Sequence, residues 1–90
     1  MASKDGDSDE VVAAVLLILA EARREREVTL ERLSEVSGVD HGVISRAERG
    51  LRIPGMASIR DIAVALGFDF AELVTTAEGK VRKKRKPKPD

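Results

Sequence analysis

Ninety residues suffice for one small domain, and 16 Lys and Arg against 16 Asp and Glu leave no net charge. The absence of cysteine excludes a disulfide framework, a zinc ribbon and a thiol nucleophile, and a single histidine, His41, excludes any site built on two imidazoles. The longest apolar run, residues 11–20, is half of the ~20 residues that a membrane-spanning helix needs. A signal peptide places positive charge ahead of its apolar stretch, whereas Asp5, Asp7, Asp9 and Glu10 outweigh Lys4 here. The expectation is a cytoplasmic chain with no membrane association.

The neutrality is an average over segregated charge. Residues 1–10 hold one base and four acids, residues 11–79 eight bases and eleven acids, and residues 80–90 seven bases and one acid. Residues 1–9 read as a flexible acidic leader, residues 10–78 as the folded domain and residues 79–90 as a disordered basic tail.

A first helix is expected over residues 11–27, free of Gly and Pro. Its apolar residues form two neighbouring stripes, Val12, Leu16 and Leu19 beside Val11, Val15 and Ile18. One stripe suits the core; the other suits either further burial or a second protomer. Thr29 is a good N-cap for a second helix with Leu30, Leu33 and Val36 on its apolar side, ended by Gly38. Asp40 opens a third helix, whose apolar positions are Val43, Ile44 and Ala47, and Gly50 stands where a glycine follows a helix end. Pro54-Gly55 marks a turn. Ser58 is expected to start a fourth helix carrying Ile59, Ile62, Ala63 and Leu66. Asp69 then caps a short fifth one from Phe70 to about Thr75. The fold class is all-α, five helices with no strand.

The second and third helices are short, and only residues 37–40 separate them. Those are the dimensions of a helix-turn-helix, in which the second helix enters the DNA major groove. Gly38 suits a tight turn that needs positive φ. Ser34 is small where the helices cross, and Leu33, Val39, Ile44 and Ala47 plug the angle between them.

The stretch TLERLSEVSGVDHGVISRAERGLRIP followed by SIRDIAVALGFDFAELV resembles the phage-repressor and Cro (Xre-like) helix-turn-helix family over roughly residues 23–74. Its most telling piece is Ile44-Ser45-Arg46-Ala47-Glu48-Arg49-Gly50 with Pro54 close behind. The resemblance implies a compact five-helix repressor-type domain that binds duplex DNA and regulates transcription, a repressor in the usual case, as a homodimer. It places His41, Gly42, Ser45 and Arg46 at groove-facing positions of the third helix. Thr29 and Leu30, and beyond the third helix Arg49 and Arg52, fall where the family contacts phosphates. It also pairs Glu48 with Arg23.

The chemistry of these side chains supports several of those roles. Arg46 can offer a two-pronged donor to guanine, and Arg49 and Arg52 can neutralise phosphates. Two departures matter: Leu30 stands where a Gln often bonds a phosphate, and Gly42 stands where a larger groove-facing residue is usual. Base readout is therefore expected to be sparse. Lys80, Arg82, Lys83, Lys84, Arg85, Lys86 and Lys88 form a candidate non-specific DNA arm, supplying positive charge that the acidic domain lacks.

Asp40, His41, Ser45 and Glu48 lie on one short helix, which does not provide both an oriented imidazole and a separate oxyanion site, so no enzyme is expected. No cofactor, metal or small-molecule ligand is implied. The alternative is a protein-interaction module, or an antitoxin-like protein with a protein partner, that keeps this fold with weak DNA recognition. The acidic domain, Leu30 and Gly42 favour it. The fifth helix and the surplus face of the first are the candidate dimer regions.

Overall fold

The computed structural model describes residues 5–84, with side chains from residue 8 onward. Five helices follow one another: α1 (Asp5–Glu25), α2 (Leu30–Ser37), α3 (His41–Glu48), α4 (Met56–Ala65) and α5 (Phe70–Lys84). Among the described residues there is no strand, and no helix is long and apolar enough to cross a membrane.

Three of the helices begin on a side-chain cap, and α2 ends on a glycine. Thr29 accepts a hydrogen bond from the backbone N–H of Arg32 at 3.0 Å and so caps α2. Asp40 caps α3 in the same manner through the N–H of Gly42, and Asp69 caps α5 through the N–H of Glu72. Gly38 ends α2 in the left-handed region, with φ at 79°.

The core joins Val15 and Leu19 of α1 to Leu33, Val39, Ile44, Ile59, Ile62, Ala63, Leu66, Leu73 and Ala77. Most of the apolar surface of α1 is covered: Val11, Leu16 and Ile18 pack at the edge of that core and Val12 is half-buried, while Leu17 stays exposed. At the far end of α1, the Arg26 guanidinium donates to the Leu66 carbonyl at the end of α4 and lies 5.3 Å from the centre of the Phe68 ring. A cation at a helix C-terminus meets carbonyls that have no intrahelical partner.

Three boundaries differ from those expected. Helix α1 starts at Asp5, so residues 5–9 are helical rather than part of a leader. The acids there lie where the helix dipole favours negative charge. Helix α4 starts at Met56 rather than at Ser58, with Gly55 in the capping position.

The largest difference is α5, which continues past Thr75 to Lys84. Residues 79–84 are therefore helical, not a disordered tail. Leu73, Ala77 and Val81 recur every four residues, and all three are buried. Their packing, chiefly against α1, outweighs the poor helix propensity of Gly79. Lys80, Arg82, Lys83 and Lys84 thus project from a helix, while Arg85, Lys86, Lys88 and residues 1–4 lie outside the described residues.

Candidate nucleic-acid interface

The angle between α2 and α3 is fixed by a small set of contacts. Leu33 and Ile44 are the most deeply buried large side chains, and Val39 and Ala47 close the space between them. In the turn, the N–H of Gly38 donates to the Ser34 carbonyl at 2.8 Å. The Ser34 hydroxyl donates to the Val39 carbonyl at 2.7 Å, and the N–H of Val39 donates to the Ser37 hydroxyl at 3.1 Å. The size of Ser34 was legible from the need for a close crossing. Its hydrogen bond across the turn was not, because it depends on how the Val39 carbonyl is turned.

Behind the turn, Arg23 of α1 grips Glu48 of α3 with two parallel bonds, Nε to Oε2 at 2.6 Å and Nη2 to Oε1 at 2.9 Å. The third arm, Nη1, donates to the Val28 carbonyl at 2.8 Å. Both charged side chains are largely buried, 15% and 10% exposed. The hydrogen bonds to Glu48 raise the Arg23 pKa above its usual value, against the lowering effect of burial. The pair implied by the resemblance is formed, and it ties the end of α3 to α1.

Of the residues singled out for contact, His41, Arg46, Arg49 and Arg52 are exposed, and Gly42 and Ser45 are half-buried along α3. Arg49 turns back so that its Nε donates weakly to the Ser45 carbonyl, at 3.4 Å. Thr29 is exposed at the start of α2. Its hydroxyl oxygen is engaged in capping, which leaves the hydroxyl hydrogen to donate elsewhere. Leu30 is half-buried against the core, so its side chain serves packing and only its backbone N–H, in the first turn of α2, is positioned to donate.

Two further residues shape this surface. Glu31 brings a carboxylate oxygen to 4.0 Å from Nε2 of His41, joining the starts of α2 and α3. Nothing in a ten-residue sequence separation signals that meeting. Asp40 and Arg46 both approach Gly42 closely, within 3.0 Å and 3.2 Å of where a Cβ would stand. Among the described residues, no group of three or more His, Asp or Glu side chains is placed to hold a metal ion.

Comparison with known proteins bears on this surface. A family model described as helix-turn-helix matches residues 19–73, from the second half of α1 into α5. An uncharacterized HTH-type transcriptional regulator, y4dJ, of Sinorhizobium fredii (strain NBRC 101917 / NGR234) is similar over 59 residues at 37% identity. The match covers 66% of this chain and 77% of that relative. No solved structure matches.

Proposed function

The chain belongs to the helix-turn-helix family and is a DNA-binding transcriptional regulator rather than an enzyme, and we propose that it reads its site with α3 in the major groove. The observation that carries this reading is the exposed face of α3. Arg46 stands exposed on it beside the half-buried Ser45, Arg49 and Arg52 follow just past its end, and the Gly38 turn and the Arg23–Glu48 pair tie the helix to α2 and α1. Arg46 is the base reader, because its planar fork matches guanine O6 and N7. His41 and Ser45 donate to bases or phosphates alongside it. Arg49, Arg52, the Thr29 hydroxyl and the Leu30 N–H hold the backbone and set the register. The basic end of α5 adds sequence-independent attraction.

Arg46→Ala is expected to lower discrimination between a selected duplex and a scrambled one by about tenfold. Arg49→Ala weakens both duplexes alike and reduces the salt slope of binding by roughly 0.9. Fluorescence-anisotropy titrations at several salt concentrations check both. If the two variants bound like the parent, the placement of α3 would be wrong.

The same reading includes a two-fold dimer acting as a repressor in the cytoplasm, at the nucleoid of a bacterial host. In support of a dimer, Leu17, Leu51, Ile53 and Met56 are large, exposed and apolar. Two α3 helices in successive turns of one groove would lie roughly 34 Å apart. Light scattering is expected to give twice the chain mass for the parent and the chain mass for Ile53→Asp. A parent that remains at the chain mass when concentrated and when mixed with a palindromic duplex contradicts the dimer. A reporter gene whose expression rises when the chain is deleted supports repression, and one whose expression falls refutes it.

A further inference from the structure

Gly42 lies one helical turn before Arg46 on α3, and side chains of a helix lean toward its N-terminus. The Arg46 guanidinium accordingly lies over Gly42. A Cβ at residue 42 would stand 3.2 Å from Nη1 and 3.3 Å from Nη2 of Arg46, and 3.0 Å from Oδ2 of Asp40. These separations are shorter than a comfortable contact of about 3.5–4.0 Å.

Backbone geometry gives no reason for glycine here, since the positive-φ glycines are Gly38, Gly50 and Gly67. Helix propensity gives none either, because alanine is the better helix former. What remains is the space. Both neighbours must give if a Cβ is added: Asp40, tied by its 2.9 Å bond from the Gly42 N–H, by a few tenths of an ångström, and the guanidinium at the far end of the long Arg46 side chain, which shifts at least cost.

We propose that Gly42 is a positioning residue for base readout: its missing side chain leaves the place that the Arg46 guanidinium occupies toward the leading end of α3, and a Cβ there displaces the fork from the position in which it reads a base. This rests on the reading that Arg46 contacts a base. It recasts the glycine from a lost base reader into the clearance that a single long reader needs.

The test uses the full chain as parent, Gly42→Ala, Arg46→Ala and the double variant. Each is titrated by fluorescence anisotropy against a duplex that the parent enriches from a randomised pool and against a scrambled duplex. Gly42→Ala should lower the ratio of the two affinities by roughly tenfold, a ratio that a change in overall stability alone leaves unmoved. In the Arg46→Ala background the same substitution should change the ratio by less than about twofold, as expected when one residue acts through the other. Gly42→Ser, which adds the same Cβ, should repeat the loss. The inference is overturned if Gly42→Ala and Gly42→Ser keep the parent ratio. It is equally overturned if the loss persists without Arg46, since the added methyl would then be meeting the DNA itself. A parent that enriches no sequence is a different outcome, which removes sequence-specific binding and this inference together.

Discussion

Arg23 has three hydrogen bonds to two other parts of the chain, so its removal does more than cancel a charge. Among the described residues, Arg23→Ala leaves the Glu48 carboxylate, itself largely buried, to the exposed Arg24, whose Nη2 lies 3.5 Å away, and strips a donor from the Val28 carbonyl. The expected cost is about 2–3 kcal/mol, below the range for a fully buried pair because both side chains keep some contact with water. Urea denaturation should show a lower midpoint with an unchanged slope. A loss below about 0.5 kcal/mol, the value of an exposed pair, would contradict the structural role assigned here. The Arg23–Glu48 pairing was implied by the resemblance of the segment around Glu48. The Val28 bond, the Ser34 bond and the approach of Glu31 to His41 were not legible, because each depends on angles between elements rather than on spacing within one.

At the scale of elements, the helix-turn-helix was readable from the sequence because its determinants are local: two caps, one glycine with positive φ and four apolar plugs. Helix α5 was misread for a physical reason. Seven basic residues in residues 80–90 dominate the composition, and a single valine in that stretch, four residues after Ala77, carries the packing signal. The end of α5 is therefore part of the fold. Val81→Ala should destabilise the protein by about 1–2 kcal/mol through lost burial and incomplete collapse around it, read as a lower urea midpoint. A chain ending at Gly79 should melt below the full chain, and equal melting would show that residues 80–84 do not contribute to the fold. For the same reason, weakened DNA binding by that truncation does not by itself identify a basic arm. Charge-reversing substitutions at Lys83 and Lys84, both exposed, separate the two effects.

Over the whole molecule, part of the segregated charge is brought together. Glu10 near the start of α1 and Lys80 and Lys84 at the end of α5 line one hollow, together with Ala13, Ala14, Leu17 and Val81. Glu10 thus shares a hollow with Lys80 and Lys84, whose side chains remain exposed.

The most direct measurement is a two-dimensional amide NMR titration of the full, isotope-labelled chain with duplex DNA at low salt. Any duplex sequence serves, because non-specific binding already uses the phosphate-contacting surface. The account predicts that the largest shifts fall in residues 29–32 and 40–52, around Thr29, Leu30, Ser45, Arg46, Arg49 and Arg52, with smaller ones at the end of α5. Shifts confined to residues 80–90, with α2 and α3 unperturbed, would contradict it.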